Sequence, residues 1–112
     1  MGIKDLARVL RWMPNLTVVN AQGNAMSTVN LQNQMMDGKA IYPMKNVKNL
    51  DLSYNKSLTT LVLQTLDNLT LVATSLSATA FKNATEKTSK RLYINSPVIP
   101  TQGTQYKLTT VD

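Results

Sequence analysis

The chain has 112 residues, enough for one domain with a modest core and too few for two. Its net charge of +6 comes from 12 Lys and Arg against 6 Asp and Glu, and it contains neither cysteine nor histidine. That inventory excludes disulfide frameworks, thiol or Ser-His catalysis, and metal sites built on thiolate or imidazole. The carboxylates, Asp5, Asp37, Asp51, Asp67, Glu86 and Asp112, form no close pair in sequence for general acid and base work, so no enzyme activity and no cofactor are expected.

Residues 3–13 predict a short helix. Ile3, Leu6, Val9, Leu10 and Met13 recur at helical spacing, Lys4, Asp5, Arg8 and Arg11 take the other face, and Pro14 closes it. A helix with one apolar stripe suits a cap over the first layer of whatever follows, and Trp12 is expected to pack at the core edge. This opening segment lacks the apolar run of a secretory leader, and no stretch of the chain approaches the length of a membrane span.

From Leu16 the chain reads Leu16-x-x-Val19-x-Ala21-x-x-Asn24-x-Met26-x-x-Val29-x-Leu31. In an apolar-x-apolar triplet the outer two side chains share one side of a short extended segment and the middle one points away, so each triplet is a short strand with two inward residues. The Asn that follows sits where the chain must turn, and its amide can pair backbone groups on both sides of the bend.

Gln34 to Lys45 interrupts this pattern. Asp37-Gly38 is a turn signal and Pro43 blocks regular pairing, so the segment reads as a loop carrying Met35, Met36, Ile41, Tyr42 and Met44. Either it folds back so that these side chains join the core, which is the preferred reading, or it presents an apolar surface to a partner.

The phrase returns in full between Val47 and Leu71. Leu50-x-Leu52, Leu61-x-Leu63 and Leu69-x-Leu71 are each led by an apolar residue three positions earlier, Val47, Leu58 and Leu66, and the first continues to Asn55. A single helix does not account for this spacing, because Leu63 and Leu71 fall off any helical stripe and Thr59, Thr60, Thr65 and Thr70 disfavour one. The strand centres Asn20 and Asn30 are ten residues apart, and Asp51 and Val62 are eleven apart. That step predicts two extended segments per turn of chain, with Asn20 and Asp51 on one wall and Asn30 and Val62 on the other.

Beyond Leu71 the spacing reaches Thr74 and Leu76. Ser77 is then placed to cap a helix with Ala78, Phe81 and Ala84 facing inward and Lys90 and Arg91 beyond its end. Leu92-Tyr93-Ile94 is the next strand, before Pro97 and Pro100. After a turn at Thr101-Gln102-Gly103, the alternation through Tyr106, Leu108 and Thr110 predicts a last strand pairing back on Arg91 to Ser96. The lysines, grouped as Lys45, Lys48 and Lys56 and as Lys82, Lys87 and Lys90 with Arg91, are not interleaved with aromatics, so they read as solvated surface and no nucleic-acid partner is expected.

The segments LTVVNAQGNAMSTVNL and NVKNLDLSYNKSLTTLVL resemble the leucine-rich repeats of bacterial surface and secreted proteins, in which phrases such as L-T-x-L-D-L-S-x-N recur at close intervals. The segment from Leu76 to Val98 resembles a related bacterial surface type, on Ala80, Phe81, Leu92, Ile94 and Pro97. The chain departs from both in its few copies, its insertion at 34–45 and Thr74 where an Asn is expected. The fold class expected is therefore α+β of the repeat kind: a short leucine-rich repeat solenoid of about four coils with an N-terminal helical cap and a C-terminal strand cap. As one domain, 1–112, it divides into a cap at 1–14, repeats over 16–98 and a second cap at 99–112.

The resemblance implies a non-catalytic binding or structural module of a bacterial cell-surface or secreted protein, part of a larger chain, with a protein or glycan ligand. The alternative is an intracellular protein–protein interaction domain. The residues between inward pairs, and their neighbours two away, give the candidate partner-binding set Asn20, Asn49, Asp51, Ser53, Thr70, Arg91 and Tyr93, with Gln22, Asn68 and Asn95 beside them. Tyr93 is the expected anchor.

Overall fold

The computed structural model describes residues 5–95 and 104–107. Helix α1, Leu6–Leu10, is capped by Asp5, whose carboxylate accepts from Arg8 N at 3.2 Å, and it buries Leu6, Ala7 and Leu10. Three short strands follow, β1 (Val18–Asn20), β2 (Thr28–Asn30) and β3 (Gln34–Met36), with β4 (Lys39–Ile41) returning on β3. Then come β5 (Asn49–Asp51), β6 (Thr60–Val62) and the longer β7 (Leu66–Val72). Helix α2 (Ala78–Lys87) leads directly into β8 (Thr88–Asn95), and β9 (Thr104–Lys107) is the last described element.

The main sheet has the order β1-β5-β7-β8-β9, parallel throughout except for β9. Its register places Val19, Leu50, Leu69 and Leu92 side by side, all buried. A second, two-stranded sheet pairs β2 with β6 in parallel, so Asn30 lies beside Val62 just as Asn20 lies beside Asp51. The ten- and eleven-residue steps thus give the register found here. Between the sheets lies one apolar cluster that includes Met26, Leu31, Leu52, Leu61, Leu63 and Leu71. Each such side chain contributes about 1.5–3 kcal/mol when fully buried.

The expectation of a leucine-rich repeat solenoid of about four coils is not met. The chain is instead an α/β fold of mostly parallel sheets with two helices among the described residues, and it measures 41 × 33 × 21 Å. The two-strand step occurs only twice, as β1 with β2 and β5 with β6. Leu66, Leu69 and Leu71, read as a further copy of the phrase, all belong to the single strand β7. After β7 no strand among the described residues joins β6; α2 packs against β6 and β8 in its place.

Local corrections have local causes. Met13 and Trp12 leave the helical stripe because Trp12 N and Met13 N donate three residues back, to Val9 and Leu10, which tightens the last turn. Trp12 is therefore 72 % exposed instead of packing at the core edge, with the Arg11 guanidinium 4.5 Å over its ring. Residues 34–45 form a hairpin around Asp37 and Gly38, both at positive φ. Met44 joins the core and Met36 packs against it, but Met35 and Tyr42 stay exposed, so the fold-back reading holds for only part of the segment. In α2, Ser77 is the cap, its Oγ accepting from Ala80 N at 3.2 Å, yet the buried residues are Ala80 and Ala84 while Ala78 is exposed. Strand β9 pairs antiparallel with Arg91 to Ile94 as expected. Ile3, the prolines at 97 and 100, the turn at 101–103 and the run from Leu108 lie outside the described residues, as does the side chain of Asn95.

Candidate binding face

Strand register turns the outward residues of the main sheet into two rows. One runs Asn20, Asp51, Thr70, Tyr93; the other runs Val18, Asn49, Asn68, Arg91. Every one of these residues is exposed or half-buried, while the residue between each pair is buried. Six of the seven candidate residues are therefore brought onto one surface.

Ser53 is not among them. It is 2 % exposed and its Oγ accepts from Val72 N at 2.9 Å. Strand alternation predicted it outward, but β5 ends at Asp51 and Tyr54 takes a φ of 62°, so the parity of the strand does not extend to residue 53.

Several face residues are already engaged. Asn20 Oδ1 accepts from Gln22 N at 3.1 Å, and Asp51 Oδ1 accepts from Ser53 N at 2.9 Å. Gln22 Nε2 donates to the second Asp51 oxygen, and Asn68 Nδ2 donates to Asn49 Oδ1. These bonds order the β1 and β5 end of the face and leave it few unpaired donors. Toward β8 the situation reverses: the Thr70 hydroxyl, the Arg91 guanidinium and the Tyr93 hydroxyl have no protein partner among the described residues. The groups available to a ligand are concentrated there, around one half-buried aromatic ring.

Behind the face the turns are held by an amide ladder. Asn55, fully buried, donates to the carbonyls of Leu52 at 2.7 Å, Ala21 at 3.1 Å and Ser53 at 3.3 Å, and its Oδ1 accepts from Asn24 N at 3.1 Å. Asn24 makes the same kind of bonds one layer earlier, to Ala21 and Gln22. Thr74 occupies the corresponding place in the third layer, and its buried Oγ1 has no partner.

Among the described residues no three carboxylates group as a metal site, and no helix is long and apolar enough to cross a membrane. Sequence reasoning passed over a polar cleft lined by Lys45, Lys48, Thr65, Asp67 and Ser89. Its one legible signal was the pair Lys45 and Lys48 immediately before a strand. Comparison with protein-family models, with curated proteins and with solved structures finds no match to this chain.

Proposed function

We propose that this chain is a non-catalytic binding module of a bacterial cell-surface or secreted protein, with its ligand, a glycan or a protein edge, lying across the outward face of the main sheet. The observation that carries this reading is the pair of in-register rows of mostly polar residues, in which Thr70, Arg91 and Tyr93 have no protein partner among the described residues. The lack of histidine and cysteine supports a role without catalysis, and the resemblance of the Leu and Asn phrases to those of bacterial surface proteins supports the extracellular setting.

A glycan array probed with the full chain tests the proposal. Tyr93→Ala and Arg91→Ala are each expected to lower affinity for a retained glycan about tenfold while leaving the melting temperature nearly unchanged. Asp51→Ala serves less well, because Asp51 also closes the turn after β5 and its loss lowers stability. Unaltered binding by both Tyr93→Ala and Arg91→Ala overturns the assignment of this face.

A second reading, an intracellular protein–protein interaction domain, draws on a different surface. Trp12, Met13, Met35 and Tyr42 are exposed on α1's trailing end and the hairpin, which Arg11 ties together through Asp37 at 2.6 Å. A protein partner lost on Trp12→Ala and Tyr42→Ala, but kept on Tyr93→Ala, favours that reading over the first.

A further inference from the structure

The main sheet has a second polar feature, at the rim where its parallel strands begin. A cleft of about 360 Å³ is lined by Lys45, Val47, Lys48, Thr65, Leu66, Asp67 and Ser89, at the lower end of the roughly 300–1,000 Å³ range of small-molecule sites. Lys48 directly precedes Asn49, Asp67 directly precedes Asn68 and Ser89 lies two positions before Arg91, so the cleft adjoins the start of the second row along three adjacent strands.

Its charges are unbalanced. Asp67 is the one carboxylate in the lining, and it is already engaged: Lys90 Nζ lies 3.7 Å from it and Ser89 Oγ 3.4 Å. Lys45 and Lys48 have no carboxylate within ion-pair distance among the described residues, although both line the same cleft. The Ser89 hydroxyl donates to the carbonyl of Leu66 at 3.1 Å. Two ammonium groups without a carboxylate partner among the described residues, beside a paired carboxylate and the Thr65 hydroxyl, thus make a place where an oxyanion is favoured over a cation or an apolar group.

We propose that this cleft is an anion subsite, and that the ligand of the adjoining face is an acidic glycan whose carboxylate or sulfate group is seated between Lys45 and Lys48. The proposal rests on the reading of the face as the binding surface and adds the ligand's chemistry to it. A glycan fits better than a protein edge, because apart from Val18 at the far strand the face offers amides, hydroxyls, one guanidinium, one aromatic ring and the Asp51 carboxylate, whose two oxygens already accept from Ser53 N and Gln22 Nε2, and among the described residues no apolar pocket for a buried anchor. Lys48 at the rim and Arg91 on the face then address successive charged units of one chain.

The test titrates the full chain with galacturonic acid oligomers, with a sulfated glycan of the same length and with neutral galactan oligomers, following both affinity and backbone amide shifts. The double variant Lys45→Gln/Lys48→Gln is expected to lose about tenfold in affinity for the acidic oligomers, whereas the charge-matched pair Lys56→Gln/Lys82→Gln, outside the cleft, changes it less than about twofold. Asp67→Asn should act in the opposite direction, tightening acidic oligomers about threefold by releasing Lys90. Melting curves of each variant separate these effects from loss of fold. The better of the two acidic probes identifies the group seated in the cleft. Equal losses from the two lysine pairs show attraction to net charge alone and overturn the subsite. Neutral oligomers that bind the face as tightly as acidic ones, with Lys48, Asp67 and Ser89 amides unmoved, also overturn it while leaving the face itself standing.

Discussion

On one side of the molecule β1 is followed by β5, β7 and β8, whereas on the other β2 is followed by β6 alone and α2 takes the next place. Inward apolar residues do not explain the difference, since Leu61 and Leu63 are as completely buried as Leu50 and Leu52. What the backbone beyond each strand centre bonds to differs between the sides. Asn20, Asn30 and Asp51 each accept from the N–H two positions on, at 3.1, 3.1 and 2.9 Å. Thr70 does not, and Val72 N instead donates to Ser53 Oγ, a neighbour in the same sheet. Val62 has no side-chain acceptor, and Gln64 N, two positions on, donates to Met44 Sδ at 3.3 Å. Leu63 N, whose counterpart Leu31 N donates to the carbonyl of Val62 in the next strand, donates to Asn83 Oδ1 of α2 at 3.0 Å. On this side a helix amide thus stands where the carbonyl of a further strand would stand. Leucine spacing sets what is buried, and the groups that meet each strand's trailing N–H differ between the two sides.

The largest expected effect removes what the two sides share. Leu52→Asp and Leu61→Asp each place an unpaired charge in the common core, one on each side, and both should abolish the cooperative melting transition followed by circular dichroism. If one variant melts like the parent, the core on that side is not continuous with the other.

The next effect separates the two sides by their turns. Asn55→Ala deletes three donated bonds and one accepted one in a buried place, and should cost about 1–3 kcal/mol. Asn83→Ala unpairs only the Leu63 N–H, and about 1 kcal/mol is expected. Thr74→Asn should instead stabilise the chain by about 1 kcal/mol, because it restores an amide where a buried hydroxyl now has no partner. Urea denaturation of the three variants checks both the order and the sign; a destabilised Thr74→Asn would show that the third layer has no room for the longer amide.

These particulars also show what was legible in the sequence. Paired apolar residues flanking one outward residue gave the strand centres and their register, because period-two alternation is enforced wherever one side is buried. Asp37-Gly38 and Ser77 were read correctly because turn and cap chemistry is local. The extent of each sheet was not legible, since what stands beyond a strand, such as Asn83 beside Leu63, comes from far along the chain. On the face, six of the seven candidates followed from alternation and Ser53 failed where the strand ended. The cleft was missed because Lys45, Thr65 and Ser89 meet only through the parallel pairing of three strands.

A smaller effect concerns backbone conformation at the turns that all three layers of the ladder share. Gly23, Tyr54 and Ala73 each immediately precede the ladder residue and take φ of 70°, 62° and 59°. Only the first is a residue that adopts this region without steric cost. Tyr54→Gly and Ala73→Gly should each stabilise the fold by about 0.5–1 kcal/mol, the relief of left-handed strain being partly offset by the greater freedom of glycine in the unfolded chain. Gly23→Ala should destabilise it by a similar amount. A thermal melt that ranks Tyr54→Gly below the parent would mean that the Tyr54 ring contributes more than its backbone costs.

The smallest effect lies outside both sheets, where the hairpin is tied to α1 by Arg11 and Asp37. Hydrogen bonding from the Arg11 side chain, and then its positive charge, hold the Asp37 carboxyl below the ordinary carboxylate range. A depressed folded-state pKa means that the stabilisation is complete above the unfolded value and is lost as pH falls through the folded one. Acidification from neutral pH through the carboxylate range should therefore loosen the hairpin, and Asp37→Asn should remove that part of the pH dependence while lowering stability only slightly at neutral pH, since the Asp37 carboxylate is open to solvent. Amide exchange of Met35 to Ile41, measured on either side of the transition, reads the effect directly. If exchange in the hairpin accelerates equally in the parent and in Asp37→Asn, other carboxylates control it; if exchange in β2 and β6 accelerates with it, the hairpin helps to hold the two-stranded sheet, and an ion pair joins the turn amides in setting the difference between the two sides.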